Sequence, residues 1–582
     1  MRRPGAFRGS VTGCLAVVAV ISAPLGPARA QRVAPPITDN AVPQGSPIPR
    51  ILPSQPPPVG QGLPTLPPVQ PSPLVPNTSV RVSSVAVEGA TAYPQGRLTQ
   101  LTAGLTGPAV PVARIDAARL AILNLYRADG YALTTVTAAV DAAGRLRFTV
   151  LEGRIADVRL EGDIGPAGTQ VLRFLHHLTE QRPINIATLE RWLLLAQDVP
   201  GVSLQAVLRP NPDDPGALTL VARVARQLFS GLLTVDNRAF PLTGPQEGLL
   251  VLDANSFTEF GERTELSIYK TAGGTQIFGQ GSEEFFAGGS GLRIKFYGGA
   301  GDSTPSGFLR AIDYEGKTTT FGASASYPLI RSRQETLNIT GYLDEIQDEI
   351  LEIGSSGRRG TSSNETVNVL RVGANYAIQD LLAGAEHPAV NSVNVRLSQG
   401  LGGSASPPSR PGERLDFTKL DAQLSRTQTL FYPWQGASIA LEGLLAGQIT
   451  NKVLPSVETF FLGGSQFTRG YWAGEVTGDQ ALVYTAELQL NTPVGLAMFH
   501  RPIDMNAQFY AFYDYGYAWQ LAPTQPNTLI SSEGIGVRLN VTRYTEFDLE
   551  GDIRNHRLPL GTPGVTKPQK ADALYWRVLA RF

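Results

Sequence analysis

The sequence predicts an antiparallel transmembrane β-barrel of about 16 strands that follows two small α/β domains. Helical periodicity, which is clear up to residue 226, disappears from Leu228 onward. The 355 residues from 228 to 582 alternate between apolar and polar positions and are broken by Gly, Asp, Asn, Ser and Pro. At about 22 residues per strand and connection, this length accommodates about 16 strands. A soluble β-sandwich shows the same alternation and is the alternative.

The first 30 residues have the pattern of a secretory signal peptide. Arginines at positions 2, 3 and 8 precede an apolar stretch at residues 11–21, and the small residues Ala28 and Ala30 provide a cleavage site. The apolar stretch is too short for a membrane-spanning helix, and no later stretch reaches eighteen apolar residues. We therefore predict that residues 1–30 are removed on export.

Charge and cysteine content exclude several classes of protein. The formal net charge is −1 at pH 7, and removing four arginines with the signal peptide gives −1 − 4 = −5, which does not indicate nucleic-acid binding. The only cysteine, Cys14, lies in the predicted signal peptide. The exported chain is therefore expected to form no disulfide and no cysteine-ligated metal site, and we expect no metal and no cofactor.

Residues 31–78 form a proline-rich linker with fifteen prolines. Proline fixes φ and lacks an N–H group, so we expect an extended, solvated spacer. No stretch without proline in this linker exceeds six residues, and the sequence therefore predicts no helix there.

Two units of similar pattern follow, at residues 79–153 and 154–227. Each reads as strand–helix–helix–strand–strand over about 75 residues. In the first unit the apolar face of a helix from Val112 to Asp129 ends at Gly130. A repeated small domain ahead of a barrel suggests a binding arm.

The strand at residues 507–519, "AQFYAFYDYGYAW", places Asp514 on the face that would point into the barrel lumen. Its alternate positions, including Phe509 and Tyr513, form an apolar face suited to lipid. A carboxylate on the inner wall is expected to pair with a cation. Gly516 shares the Asp514 face and leaves room for a loop to approach closely.

The stretch 461–475, "FLGGSQFTRGYWAGE", combines glycines, aromatic residues and one arginine. With "VTGDQALVYTAEL" after it, the stretch closely resembles the conserved barrel loop of two-partner secretion transporters of the TpsB type (the ShlB/FhaC/HecB-like family). The family's Arg-Gly-Tyr motif is matched by Arg469, Gly470 and Tyr471. Its Phe-x-Asp-x-Gly motif is matched by residues 512–516, in which the conserved positions are Phe512, Asp514 and Gly516.

The resemblance implies that loop 461–480 folds into the barrel and that Arg469 pairs with Asp514. Gly463 and Gly464 would then allow the loop to turn inside the lumen. The residue before the arginine is Thr468, where the family usually has valine or isoleucine.

The last strand, "ALYWRVLARF", has one apolar face and one face with two arginines. It ends on Phe582. We expect this strand, with Tyr575, Trp576 and Phe582, to carry the C-terminal signal that the barrel-assembly machinery uses for insertion into outer-membrane lipid.

The resemblance implies an outer-membrane pore without enzymatic activity, with its two small domains, POTRA domains, in the periplasm. These domains would capture an unfolded secreted exoprotein, a TpsA-like adhesin or haemolysin, for export to the cell surface. Many relatives close the pore with an N-terminal helix, which the proline spacing argues against here. The alternatives are a barrel-assembly insertase, a passive porin or receptor, and a soluble β-rich adhesin or enzyme.

The sequence predicts no catalytic residues. Gly-Lys-Thr at residues 316–318 resembles part of a phosphate-binding loop, but Ala311 stands where that motif needs glycine. Ser290 lacks the glycine that a nucleophile elbow requires two residues later.

Overall fold

The structure is a computed structural model that describes residues 45–51, 78–354, 356–498, 501–523, 525–560 and 567–582. The predicted signal peptide, with Cys14, and the rest of the linker lie outside the described residues. Among the residues described, no helix is both long and apolar enough to cross a membrane. The described part of the linker contains one short helix, α1 (Ile48–Ile51).

The first unit is a three-stranded sheet with two helices packed on one face. Its strands have the order β2–β5–β4, with β2 parallel and β4 antiparallel to β5, while β1 and β3 form a separate pair. The core is apolar and includes Ile115, Ile122 and Phe148, which are all fully buried. In chain order the elements are β1 (Ser79–Val82), β2 (Ser84–Glu88), α2 (Gln95–Leu101), β3 (Gly107–Pro111), α3 (Val112–Ala128), β4 (Thr135–Val140) and β5 (Arg145–Leu151).

The second unit repeats this plan with its own core. Its sheet has the order β6–β8–β7, again with the first strand parallel to the central one. The helices cover a core that includes Val171, Phe174 and Leu220. The elements are β6 (Arg154–Glu161), α4 (Ala167–His176), a 3-10 turn (His177–Thr179), α5 (Ile186–Gln197), β7 (Val202–Pro210) and β8 (Ala217–Arg226).

One side-chain and one backbone hydrogen bond join the two units directly. The Asn185 side chain caps α5 by accepting from Ala187 N (2.8 Å), and its Nδ2 donates to Asp129 O (2.9 Å). The N–H of Ile186 donates to Gly130 O (2.9 Å). The start of α5 is therefore fastened to the end of α3, so the two units share a fixed joint.

Sixteen antiparallel strands between Phe229 and Arg581 form a closed barrel, in which the last strand pairs with the first. The predicted fold class is therefore confirmed. The wall consists of β9–β19, β22–β25 and β28, and the pairs β20–β21 and β26–β27 lie outside it. The strands are β9 (Phe229–Asp236), β10 (Glu247–Asn255), β11 (Arg263–Thr271), β12 (Gln276–Phe286), β13 (Arg293–Ser303), β14 (Glu315–Arg331), β15 (Glu335–Ile353), β16 (Arg359–Asp380), β17 (Ala389–Ala405), β18 (Thr418–Phe431), β19 (Ser438–Thr450), β20 (Phe460–Leu462), β21 (Val476–Gly478), β22 (Gln480–Met498), β23 (Arg501–Trp519), β24 (Thr528–Asn540), β25 (Thr545–Arg554), β26 (Pro559–Leu560), β27 (Lys567–Pro568) and β28 (Asp572–Arg581). A further short helix, α6 (Phe308–Ala311), lies between β13 and β14.

The alternation along β23 separates lipid and lumen faces as the sequence predicts. Phe509 and Tyr513 are 46% and 41% exposed, whereas Phe512 and Asp514 are buried. Exposed aromatic side chains also lie near strand ends, where they suit the membrane interfaces. They include Phe229, Phe257, Phe260, Tyr432 and Trp434.

The second unit is fixed to the end of the barrel from which β9 starts. Arg331 at the end of β14 donates to both carboxylate oxygens of Asp198 (2.8 and 2.7 Å). Phe286 at the end of β12 enters the core of the second unit, with its ring 5.1 Å from that of Phe174 in an edge-to-face contact. An ion pair and a buried apolar contact therefore join the second unit to the barrel.

Residues 45–51 of the linker lie inside the barrel. Ile48 and Ile51 pack against Leu249, Tyr269 and Phe278, which belong to wall strands. The prediction of a solvated spacer without a helix is therefore wrong for these residues. Proline is tolerated in the first turn of a helix, so Pro49 does not prevent the single turn of α1, and its two isoleucines find an apolar wall.

Candidate functional site

A long connection between β19 and β22, residues 451–479, folds into the barrel lumen. Its two halves meet as the hairpin β20–β21, in which Leu462 pairs with Val476. Gly463 has a φ of 95°, and a Cβ at this position would lie 2.0 Å from the carbonyl oxygen of Trp472. Only glycine fits such a turn, which gives the predicted glycine pair a steric role. We call residues 451–479 the inward-folded loop.

Arg469, at the tip of this loop, contacts Asp514 on β23. Its backbone N–H and Nε donate to Asp514 Oδ2 (2.8 and 3.0 Å), and its Nη2 donates to Oδ1 (3.0 Å). The arginine side chain is 8% exposed and the aspartate is fully buried. Glu487 on β22 forms a second ion pair with Arg469, and the guanidinium lies 3.6 Å from the centre of the Phe512 ring. The two sequence motifs therefore meet in space.

Gly516 allows the loop to approach the wall at Thr468. A Cβ on Gly516 would lie 2.7 Å from Thr468 Cγ2. Thr468 has a φ of 52°, a conformation that β-branched residues rarely adopt. Its hydroxyl accepts a hydrogen bond from the Gly463 N–H (2.9 Å), which an aliphatic side chain could not do. This contact gives a local reason for threonine at a position where the family usually has valine or isoleucine.

Gly470 and Tyr471 extend the contact to the strands beyond β23. Gly470 N donates to Ser532 Oγ (3.1 Å), and Gly470 O accepts from the Tyr575 hydroxyl (3.1 Å). Tyr471 is fully buried and its hydroxyl donates to His556 O (2.7 Å). Of the residues predicted as a C-terminal signal, Tyr575 thus points into the lumen and touches the loop.

Trp576 and Phe582, the other two predicted signal residues, do not approach the inward-folded loop. They lie on the opposite face of β28 from Tyr575, where Trp576 is half-buried and Phe582 is 54% exposed. The N–H of Trp576 donates to Asn237 Oδ1 (2.9 Å). Their role in insertion remains a prediction.

Sequence reasoning missed Arg238, which lies in the connection after β9. Its Nη1 donates to the carbonyl oxygen of Arg469 (2.8 Å), its guanidinium pairs with Glu550, and it lies 4.1 Å from the centre of the Tyr575 ring. The loop tip is therefore held by an arginine as well as by acids. The only signal for this residue in the sequence is its place in "VDNRAF", residues 235–240, directly after the first barrel strand.

A second missed anchor is Glu458, in the half of the inward-folded loop that enters the lumen. Its carboxylate pairs with Arg371 on β16 (2.6 Å) and with Lys419 on β18 (2.9 Å). Arg371 also pairs with Asp344 on β15 (2.7 Å). Glu458 therefore joins the loop to a part of the wall that is far from Asp514 in sequence. The side chains of Glu458, Arg371, Lys419 and Asp344 are all almost fully buried.

A cavity of about 640 Å³ with a mixed polar and apolar lining lies in the lumen beside the loop. It is lined by residues of the linker segment, the loop and the wall, among them Arg50, Phe461 and Asp421. The Arg50 guanidinium lies 4.3 Å from the centre of the Phe461 ring, and Gln466 Nε2 donates to Pro49 O (2.8 Å). The linker segment and the loop thus touch each other and together fill part of the lumen.

In the first unit, Glu152 holds the connection between β2 and α2. Its Oε1 accepts from the backbone N–H groups of Thr91 (2.7 Å) and Ala92 (2.9 Å) and from the Tyr126 hydroxyl (2.6 Å), and its Oε2 accepts from the Thr91 hydroxyl. Partial burial opposes ionisation, but these hydrogen bonds outweigh it and lower the pKa of Glu152. Burial and the bond to Glu152 raise the pKa of Tyr126.

Each small sheet offers open edges. Within the described part of the chain, β4 pairs only with β5, and β7 pairs only with β8. An open edge can bind an extended peptide by adding it as a further strand. Ala139 on the edge strand β4 is exposed, and Leu120 is exposed on α3, the helix that packs against β4. Within the same described part, no group of three or more His, Cys, Asp or Glu side chains is arranged to hold a metal ion.

Comparisons with known proteins agree with this architecture. A family model described as haemolysin secretion/activation protein ShlB/FhaC/HecB matches residues 220–539, more than half of the chain. A model of the ShlB-type POTRA domain matches residues 80–153. The resemblance drawn from the two motifs is therefore confirmed.

Individual relatives are distant. The haem/haemopexin transporter protein HuxB of Haemophilus influenzae strain 86-028NP is 22% identical over 382 residues, which cover 64% of this chain and 64% of HuxB. The chain thus spans a little less than two thirds of that relative. The structure of CdiB from Escherichia coli has a TM-score of 0.66 at 18% identity and covers 88% of this chain and 92% of its own. CdiB from Acinetobacter baumannii has a TM-score of 0.59 at 16% identity, with coverage of 90% and 95%.

Proposed function

The chain belongs to the ShlB/FhaC/HecB family of haemolysin secretion/activation proteins, which are outer-membrane β-barrel transporters with periplasmic POTRA domains, and from this premise we propose that it exports an unfolded partner protein. The observation that carries the proposal is the inward-folded loop. It occupies the lumen of a closed barrel, and side-chain pairs join it to the wall, but within the described residues its strands β20 and β21 pair only with each other and with no strand of the wall. A lumen filled in this way can be opened by moving the loop, without breaking the barrel.

The proposed client is a secreted exoprotein of the TpsA type, an adhesin or haemolysin, that enters from the periplasm. The first unit would bind an extended client segment along the outer edge of β4, where the client backbone supplies the hydrogen bonds. Side chains of α3 beside this edge would provide selectivity. The second unit, which is fixed to the barrel through Phe286 and Arg331, would keep the bound segment at the mouth of the pore.

Transport itself needs no catalytic group on the chain. The client would pass through the lumen after the loop and the linker segment move aside, and its folding outside would make the passage one-way. Accordingly, we expect neither nucleotide hydrolysis nor a cofactor. The role of Arg469 and Asp514 would be to select the loop position that closes the pore.

Deletion of the gene, followed by an assay of the culture medium, tests this function. We expect the loss of one large exoprotein, with normal levels of other outer-membrane proteins, and its return on complementation with the intact gene. Broad loss of outer-membrane proteins would instead support the insertase alternative. If the medium and the membrane both stay unchanged while permeability to small solutes falls, a passive porin explains the protein better.

Site-specific photo-crosslinking tests the capture step. A photoreactive residue at Ala139 should crosslink to the exoprotein whose export depends on the gene. The same residue at His176, which is exposed on α4 of the second unit, provides the control. Equal crosslinking at both positions, or none at Ala139, would contradict binding at the β4 edge.

A further inference from the structure

Arg410 is a buried arginine in a connection where exposed side chains are the rule. It lies between β17 and β18, in residues 406–417, and it is 0% exposed. Because β9 leaves the second unit and the strands then alternate in direction, this connection lies at the opposite end of the barrel. The inward-folded loop also starts and finishes at that end, as does the connection at residues 520–527.

The two terminal nitrogens of the Arg410 guanidinium make five hydrogen bonds, whereas its buried Nε has no hydrogen-bond partner among the described residues. Nη1 donates to Asp479 Oδ1 (2.5 Å) and to Leu454 O (2.7 Å), and Nη2 donates to Asp479 Oδ2 (3.0 Å). Nη2 also donates to the side-chain oxygens of Gln520 (2.7 Å) and Gln525 (2.8 Å). Asp479 is itself 0% exposed, so the ion pair is fully removed from water.

Three of the five hydrogen bonds go to the two stems of the inward-folded loop, and the other two go to the connection at residues 520–527. Leu454 lies on the stem that enters the lumen and Asp479 on the stem that leaves it. Asp479 also accepts from the backbone N–H groups of Leu454 (2.8 Å) and Leu521 (2.7 Å). One guanidinium and one carboxylate therefore join the two stems to each other and to two neighbouring connections.

The connection that carries Arg410 makes further contacts with the entering stem. Ser409 Oγ accepts from the Ser456 N–H (3.0 Å). Phe417 and Leu454 are fully buried together in a small apolar cluster with two valines of β16. The stem is thus held by polar and apolar contacts that are separate from those of Arg469.

We infer that Arg410 is a second positioning residue of the inward-folded loop, which acts at the outer mouth of the barrel while Arg469 acts in the lumen. A buried charge is stable only while its partners surround it, because an uncompensated buried charge is costly. Separation of the two stems would remove Asp479 or Leu454 from Arg410, so the intact cluster favours the inserted loop. The inference deepens the proposed function, and it rests on that function only in giving the loop a role in export.

The test measures loop release in purified full-length protein, without any client. Val476, which is 6% exposed and lies three residues before Asp479, is replaced by cysteine in a Cys14→Ser background, and its rate of maleimide labelling is measured. Arg410→Ala should raise this rate at least tenfold, and Arg410→Lys should raise it less. Arg414→Ala is the matched control, because Arg414 lies in the same connection with a side chain that is 62% exposed.

A second reporter separates loop release from general loosening of the barrel. Ala440→Cys lies on β19, is 4% exposed and is outside the loop. Its labelling should not change in Arg410→Ala, and heat-modifiable mobility in detergent should show a folded barrel. An equal rise at both reporters, or a Val476→Cys rate equal to that of the Arg414→Ala control, overturns the inference.

If Arg410→Ala does not fold, a milder variant tests the positioning role of Arg410. Gln520→Ala combined with Gln525→Ala removes two acceptors and leaves the Arg410–Asp479 pair in place. A two- to fivefold rise in Val476→Cys labelling supports the inference, and an unchanged rate overturns it. If gene deletion leaves secretion intact while these labelling rates shift as expected, the export proposal fails and the positioning role of Arg410 stands.

Discussion

Replacing Asp514 with asparagine removes the carboxylate that accepts three hydrogen bonds from Arg469 and leaves the barrel wall otherwise unchanged. Removing one partner of a buried ion pair costs about 3–5 kcal/mol when the other charge is left alone. Arg469 retains its pair with Glu487, so we expect the lower end of this range, about 3 kcal/mol. At about 1.4 kcal/mol per tenfold, the released fraction of the loop should rise roughly 100-fold.

A cysteine near the loop tip measures this change. Ala473 is 7% exposed, and Ala473→Cys in a Cys14→Ser background should label slowly with maleimide when Asp514 is present. Asp421→Asn is the matched control, because Asp421 also faces the lumen cavity but pairs with Arg396, whose side chain is 49% exposed. Loss of such a pair costs about 0–1 kcal/mol, so labelling should hardly change.

Export should fall in Asp514→Asn while the barrel still inserts and keeps its heat-modifiable mobility. The reasoning is refuted if the folded variant labels at the rate of the parent protein and secretes normally. It is also refuted if the Asp421→Asn control labels as fast as Asp514→Asn, because the change would then not be specific to the Arg469 anchor.

Three further perturbations have outcomes that the structure specifies. Glu152→Gln should destabilise the first unit by about 1–2 kcal/mol at pH 7. Because folding lowers the pKa of Glu152, the stability that its carboxylate contributes is present above the ordinary pKa of 4.5 and is lost as the pH falls below that value. Hydrogen exchange of the variant in the full chain should therefore differ from that of the parent at pH 7 and converge with it at acid pH. Phe286→Ala should cost about 3–5 kcal/mol, because Phe286 is buried in the core of the second unit, and it should expose the chain before β9 to protease. Phe285→Ala, on the neighbouring residue outside that core, should not have this effect. Equal cleavage of the two variants would contradict the proposed docking of the second unit. Tyr575→Phe should still insert but lose the hydrogen bond from the hydroxyl to Gly470 O. The loss of this bond costs about 1 kcal/mol and should raise maleimide labelling at the loop tip roughly fivefold. Failure to insert would show that the hydroxyl serves the assembly signal instead.

Sequence reasoning found the site where a local pattern carries the information. Period-two alternation in β23 turns Asp514 inward whatever the rest of the chain does, and Gly516 follows two residues later on the same face. The Arg469 motif lies in a glycine-rich stretch that alternation cannot explain, which indicates a loop. Both features are short-range, and it was the resemblance to the transporter family that implied the contact between Arg469 and Asp514.

The ion pairs Arg371–Glu458 and Arg410–Asp479 depend on closure of the barrel, which no local sequence pattern predicts. Arg371 and Glu458 are 87 residues apart, and Arg410 and Asp479 are 69 residues apart. Each of these side chains reads in the sequence as one charge among many on a strand or in a connection. Only the register of the strands between them decides that they meet, and a single sequence does not fix that register.

The linker segment escaped prediction for a different reason. Its proline content describes the average behaviour of residues 31–78, and the helix α1 is a single turn. Such a turn is stable only through the wall on which Ile48 and Ile51 pack, and the sequence does not reveal that wall. Tertiary contact, rather than helix propensity, determines the structure of this segment.

The opposite signs of the two loop anchors have a consequence for how the barrel assembles. The loop presents an acid, Glu458, to two bases of the wall, and a base, Arg469, to two acids about a dozen residues later. A loop threaded in the reverse sense, or displaced far enough to exchange these partners, would bring like charges together in a space with little water. Repulsion would thus reject mis-threaded forms during closure of the cylinder, and a nascent barrel could complete its ring around only one arrangement of its contents.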